Sequence, residues 1–276
     1  MAKTEELVAD HYGISGLFDK IVGALADAGV PKNKLTMDDL KPVDEFHIGG
    51  VAATKALLDP IGLAPGSRIL DIGSGLGGPA RFMAQRYGAK VTGVDLTPEF
   101  VETAQKLTEA VGLDVGFTVG SALDLPFEQE TYDVATLLHV GMNLPNKSKL
   151  FAEAARVLGP TGRFVVYDVM QFGANPNFPV PWAEAPEASF LATPDDYLAA
   201  AGDAGFSLVH RSDRGEVACA FFAEMQARMA AGDGPVVGVP LLMGENAPEK
   251  AANMRAAVEA GDIQPVEMIF EKGPSA

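Results

Sequence analysis

Asp71 stands two residues ahead of Gly73 in the stretch Ile69-Leu-Asp-Ile-Gly-Ser-Gly-Leu-Gly-Gly78, and a second acid, Asp95, follows on the next strand-like segment. Glycines at 73, 75, 77 and 78 let a backbone turn sharply and come close to a ligand. The helix expected behind them offers unpaired N–H groups. Gly73, Gly75 and Gly78 also satisfy G-x-G-x-x-G, the dinucleotide fingerprint, with Asp95 spaced for a ribose. The acid at the mouth of the turn separates the ligands. A pyrophosphate is an anion that Asp71 would repel. A cofactor bearing sulfonium and ammonium groups, S-adenosylmethionine, is attracted instead. Asp71 therefore favours that cofactor over NAD. A dinucleotide, or a glycine turn used only for packing, is the alternative.

Several other side chains could do chemistry. His139 is expected at the carboxyl end of a central strand, as a general base or substrate anchor. The competing reading is a histidine that closes over the cofactor through its backbone. His47 precedes a Gly-Gly pair, Tyr12 interrupts a helical face, and Trp182 sits in an irregular segment where it could stack on a substrate or a cation. For each the plainer reading is a turn, a core edge or simple packing. Asp168 could orient an amine or merely end a strand. Met142 and Asn143 are expected to line the pocket. His11 and His210 read as surface or edge residues. No spacing of His, Cys and acids resembles a metal site.

The elements that must position these groups alternate. Strands are expected at Arg68–Ile72, Lys90–Asp95, Asp114–Val119, Tyr132–His139 and Arg163–Val169, with helices at Pro79–Tyr87, Pro98–Val111 and Asn146–Leu158. Thr97 reads as the N-cap of the second helix. The run Val134-Ala-Thr-Leu-Leu138 suits a strand buried on both faces. Alternation of this kind implies a parallel sheet with right-handed crossovers and a ligand at the strands' carboxyl ends. Asp71, Asp95, His139 and Asp168 all fall at such ends. After a helix from Thr193, Phe206–His210 adds a strand and Ile263–Phe270 a last, antiparallel one, with helices at Glu216–Ala231 and Glu249–Ala260 between them. Residues 1–60 read as an N-terminal helical cover: a helix over 4–30, a short one at Asn33–Leu40 with Thr36 and Asp39 as a capping box, a link over Val43–Gly50 and a helix at Val51–Leu58. Residues 61–276 form the main domain, with Gln171–Leu191 as a lid.

Composition narrows the classes. A chain of 276 residues at 47% hydrophobic content can bury one good core. The formal net charge is −16, from 21 basic and 37 acidic residues, so a nucleic-acid surface is not expected and an anionic membrane is disfavoured. No run is apolar enough to span a bilayer. The first residues lack an apolar signal core, and Cys219 is the single cysteine, as expected of a reducing cytoplasm. A homodimer is left open.

Ile69–Gly78, Val94-Asp-Leu-Thr-Pro98, Gly120-Ser-Ala-Leu-Asp-Leu-Pro-Phe127 and Tyr132-Asp-Val134 resemble consecutive motifs of class I S-adenosylmethionine-dependent methyltransferases. Phe46-His-Ile-Gly-Gly50, His139-Val-Gly-Met-Asn-Leu-Pro-Asn-Lys147 and Pro179-Val-Pro-Trp-Ala183 are similar to a small-molecule branch that includes sarcosine/dimethylglycine and ubiquinone/menaquinone methyltransferases. The resemblance implies an α/β Rossmann-like sheet with the cover and lid just described. It implies that Asp71, Gly73 and Gly75 face the amino-acid part of the cofactor, that Asp95 holds both ribose hydroxyls, that Leu96 packs on the adenine, and that Ser121 and Ala122 sit at its edge. That branch commonly carries an acid at the position of Ser121; a serine hydroxyl is the weaker partner for an adenine amino group. The implied reaction is methyl transfer to a small polar molecule, first to the nitrogen of an amine or amino acid and otherwise to oxygen, sulfur or carbon. An NAD(P)-dependent oxidoreductase and a non-catalytic S-adenosylmethionine-binding protein are the distant alternatives.

Overall fold

The computed structural model describes residues 16–232, 238, 240–244 and 246–273. Tyr12 and His11 lie outside the described residues. Three helices come first: α1 Leu17–Asp27, α2 Met37–Asp44 and α3 Gly50–Leu58. Leu17, Ile21, Val22 and Leu25 form the buried stripe of α1. The expected capping box opens α2, with Asp39 N–H on the Thr36 hydroxyl and Thr36 N–H on the Asp39 carboxylate. That helix runs on to Asp44, so part of the anticipated link is helical. Strand–helix alternation follows: β1 Arg68–Ile72, α4 Gly78–Tyr87, β2 Lys90–Asp95, α5 Pro98–Ala110, β3 Gly116–Val119, β4 Tyr132–Leu138, α6 Lys147–Val157 and β5 Leu158–Gln171. The chain closes with α7 Pro194–Asp203, β6 Phe206–Asp213, α8 Gly215–Ala230, α9 Pro240–Met243, α10 Ala247–Glu259 and β7 Ile263–Lys272.

The seven strands lie in the order β3-β2-β1-β4-β5-β7-β6, and β7 alone runs antiparallel to its neighbours. Successive side chains point to opposite faces. On one face Leu70, Ile72, Ala135, Leu137, Phe164 and Val166 pack with Leu150, Phe151 and Ala154 of α6. On the other, Ile69, Val91, Val134 and Val165 meet Leu57 of α3, Met83 of α4 and Ala104 of α5. Two covered faces account for the burial of successive residues along β1 and β4. The first helices rest on the glycine turn and α5: Ile21, Leu40 and Val43 share a cluster with Leu76, Phe100 and Leu242.

Three local expectations need correction. β5 begins at Leu158, not Arg163, because Leu158 pairs with Tyr132 across an irregularity in the β4–β5 register; Gly159 and Pro160 therefore lie in a strand. β3 begins at Gly116, two residues later than expected. Thr97 occupies the N-cap position of α5, but its side chain makes no capping bond to the helix.

Candidate active site

The turn after β1 is held from the strand beside it. Gly73 N–H and Ser74 N–H both donate to the Val94 carbonyl, at 2.8 and 3.0 Å. Gly73 sits at φ +72°, and a Cβ there would come within 2.4 Å of a Val140 methyl, so both conformation and space require glycine. At the end of β2, Asp95 accepts from Gly75 N–H at 2.8 Å through one oxygen and from Thr97 N–H at 2.9 Å through the other. Asp95 thus shapes the glycine turn and keeps lone pairs on both oxygens. Burial raises its pKa, against the backbone N–H groups that favour its charge.

Asp71 is 2% exposed. One oxygen accepts the Thr136 hydroxyl at 2.7 Å, while Oδ2 is buried with no hydrogen-bond partner among the described residues. Burial pushes this carboxyl up to about 7, with the Thr136 bond opposing and the Asp95 charge reinforcing. A buried carboxylate oxygen left unsatisfied is costly unless a ligand completes it. A cation would do so and restore the charged form.

His139 follows β4 with φ +56°, the left-handed region that side-chain-bearing residues seldom occupy. Its N–H and its Nδ1 both meet the Tyr167 carbonyl, at 2.7 and 3.1 Å. Ile48 N–H donates to its Nε2 at 3.3 Å. That network assigns the proton to Nδ1, and both ring nitrogens are committed within the chain. His47 Nε2 lies 2.9 Å from the Thr54 hydroxyl and 3.0 Å from the Gly50 carbonyl. The Tyr167 hydroxyl donates to the Ile48 carbonyl at 3.0 Å. Residues 47–48 are thereby stitched to the ends of β4 and β5. Burial pushes His47 down to about 4 and His139 to about 3, the latter with His47 adding to the effect.

The sign of the resulting pH dependence follows. Between those values and an ordinary histidine pKa the unfolded chain binds more protons, so folding stability falls as pH drops below about 6.5. Each histidine contributes about 1.4 kcal/mol per pH unit in that window. Urea unfolding at pH 5 and 6.5 should therefore show His47→Gln losing less stability than the unsubstituted protein, by up to about 2 kcal/mol. Equal losses would mean that His47 is not held neutral.

One cavity at the carboxyl ends of the strands brings together most of the expected residues. Asp71, Gly73, Gly75, Asp95, Leu96, Ser121, Ala122, His47, His139 and Asn143 all line it. Met142, Asp168 and Trp182 lie off it. Asp168 is fully buried; its oxygens accept from Gly141 N–H (2.7 Å), the Tyr197 hydroxyl (2.6 Å) and Val169 N–H (3.0 Å), and burial lifts it to about 6. It fixes the loop after His139 from beneath. Met142 and Trp182 pack together with Val169, Ala218 and Met254, and the Trp182 indole N–H donates to Ser189 Oγ at 2.9 Å.

Sequence reasoning passed over an ion pair at the cavity edge. Arg81 of α4, wholly buried, donates to Asp44 Oδ2 at 2.6 Å and to the Thr108 hydroxyl at 3.0 Å and the Ala104 carbonyl at 3.3 Å. Asp44 and the adjacent Glu45 are raised by burial, Glu45 well above the usual range and further by Asp44 and Asp71. An arginine in an amphipathic helix reads as exposed, and nothing local in the sequence marks its partner.

Residues 70–166 match the family profile described as a methyltransferase domain. Sarcosine/dimethylglycine N-methyltransferase of Halorhodospira halochloris is 28% identical over 179 residues, 64% of this chain and 63% of that protein. The 2-methyl-6-phytyl-1,4-hydroquinone methyltransferase of Synechocystis sp. is 37% identical over 106 residues, 38% of this chain and 33% of that protein. The matches thus cover less than two thirds of these relatives' own length. Among solved structures, the [4+2]-cyclase SpnF superposes with a TM-score of 0.70 at 21% identity, over 99% of this chain and 97% of that one. No described helix is long and apolar enough to cross a membrane.

Proposed function

We propose that the protein transfers a methyl group from S-adenosylmethionine to a small molecule, with an amine nitrogen as the first choice of acceptor. The observation that carries this reading is the orphaned Oδ2 of Asp71 beside a glycine turn anchored by Asp95. When bound, the cofactor supplies an electrophilic methyl on a positively charged sulfur. Asp71 would take the cationic end, and the spare lone pairs of Asp95 the ribose hydroxyls. Leu96 would pack on the adenine, and Ser121 and Ala122 would meet its edge. A carboxylate at Asp71 speaks against the pyrophosphate of a dinucleotide. The hydroquinone methyltransferase among the relatives keeps an oxygen or carbon acceptor as the second reading.

What the chain itself contributes is alignment and exclusion of water. Residues 43–47 act as a cover, since Val43, Phe46 and His47 wall the cavity. None of residues 171–191, expected as a lid, lines the cavity; the segment packs through Trp182 against Met142 and Val169. Calorimetry with S-adenosylhomocysteine, and a mass-spectrometric screen of small metabolites for a gain of one methyl, test the proposal; a protein that binds neither cofactor form would refute it.

With both nitrogens of His139 engaged, an amine acceptor must lose its own proton before transfer. The variant His139→Asn keeps a side chain that tolerates the left-handed backbone but cannot act as a base. Its turnover should fall less than about tenfold, far short of the roughly 10²–10⁴ expected on losing a general base. The acid limb of the pH profile should persist. A larger loss together with disappearance of that limb would make His139 the base.

A further inference from the structure

We propose, resting on the methyl-transfer reading above, that the acceptor is a molecule with an apolar body and no anionic group, and that it offers an N–H or O–H to Asn143 Oδ1. Asn143 lines the cavity and is 8% exposed, and its Oδ1 is buried without a partner among the described residues. An amide oxygen held in that state is an acceptor awaiting a donor. Its position is fixed from beneath. Asn143 N–H bonds to the Val140 carbonyl, Gly141 N–H to Asp168, and Lys147 Nζ to the Leu144 carbonyl. A Cβ on Gly141 would lie 2.1 Å from both an Asp168 oxygen and the Tyr197 hydroxyl, so the loop sits tight on that support.

The wall beyond the expected cofactor contacts is apolar: Val43, Phe46, Leu144, Pro145 and Leu242. Its charged members are acids. Asp44 and Asp71 line the cavity, with Glu45 buried beside them. Among the described residues no lysine or arginine lines it. Arg81 lies behind Asp44, with Nη2 on Asp44 and Nη1 on Thr108 and Ala104, while its buried Nε has no partner among the described residues. Outside the described residues the sequence holds Lys3 and His11, against Glu5, Glu6, Asp10, Asp233 and Glu245. A carboxylate or phosphate entering this space would shed its hydration against an apolar wall in which no lysine or arginine of the lining supplies a counter-charge. Such an arrangement selects against anions as effectively as a new contact selects for a ligand. An amine fits this wall better than an amino acid, whose carboxylate would need a holder that no lysine or arginine of the lining supplies.

The test uses the full chain. S-adenosylhomocysteine is titrated first; absence of binding there would refute the methyl-transfer reading itself and is distinguishable from failure of the present proposal. Matched acceptors differing in charge are then offered with S-adenosylmethionine: sarcosine and its amide, 4-aminobenzoate and its ethyl ester, caffeate and its methyl ester. A gain of one methyl is read by mass spectrometry. The uncharged or cationic member should react in at least one pair, with kcat/KM at least tenfold above its anionic partner in every pair that reacts. An anionic member that reacts as well as its partner, or failure of all the non-anionic members, overturns the proposal. For the acceptor that reacts, Asn143→Leu should raise KM about tenfold, and an unmoved KM would remove Asn143 from the assignment.

Discussion

Replacing Arg81 with leucine is expected to lower folding stability by about 3–5 kcal/mol, the cost typical of breaking a buried ion pair from one side. The guanidinium is wholly buried and joins three elements: Asp44 at the end of α2, and the Thr108 hydroxyl and Ala104 carbonyl of α5. Removing it strands Asp44, already raised by burial, beside Glu45, which burial and the charges of Asp44 and Asp71 raise further. The space is equally constrained. A Cβ on Gly78 would approach the Asp44 carbonyl oxygen to 2.3 Å, so α2 cannot relax toward α4. The double variant Arg81→Leu/Asp44→Leu should recover much of the loss, because an apolar pair can replace a buried ion pair at little net cost. Urea unfolding of the two singles and the double measures this directly. If Arg81→Leu is no more harmful than a typical surface change, within about 0.5 kcal/mol, the pair does not hold the first helices to the domain.

Why the ion pair escaped a reading of the sequence while the glycine turn did not is a matter of range. The turn, Asp71 and Asp95 lie on consecutive elements whose periodicity and glycine chemistry are local, and β4 is legible from its apolar run. The capping box at Thr36/Asp39 is legible for the same reason. Arg81 and Asp44 meet only because α2 packs on α4, and no short-range pattern records that. His139 was placed correctly at the end of β4, but its chemistry depends on Ile48 and Tyr167, which are remote in sequence. Trp182 reads as a stacking residue from its surroundings in a proline-rich segment. In the fold it lies 3% exposed among Met142, Val169 and Met254, because α8 and α10 come back to cover that side. The extra turn of strand at Leu158–Gly162 was hidden by Gly159 and Pro160, which read as breakers. Pairing of Leu158 with Tyr132 overrides them.

Asp95→Ala should weaken S-adenosylhomocysteine binding roughly 10- to 150-fold, the equivalent of about 1.5–3 kcal/mol for lost hydrogen bonds to a charged group. Two effects add. The carboxylate that would hold the ribose is gone, and Gly75 N–H and Thr97 N–H lose the acceptor that orients the glycine turn. A third consequence separates this from simple damage to the loop. The Asp95 charge helps to hold the Asp71 carboxyl up at about 7, so its removal lowers the Asp71 pKa. Asp71 must be charged to meet a cation, and affinity in the unsubstituted protein should therefore fall as pH drops through about 7. In Asp95→Ala that fall should move to lower pH, on a curve that is weaker throughout. Calorimetric titrations from pH 6 to 8 read both the offset and the midpoint. A variant that merely unfolds would lose binding at every pH with no displaced midpoint. Unchanged affinity would sink the assignment of the ribose to Asp95, and a midpoint that stays put would mean that the two carboxyls do not act on each other across the turn.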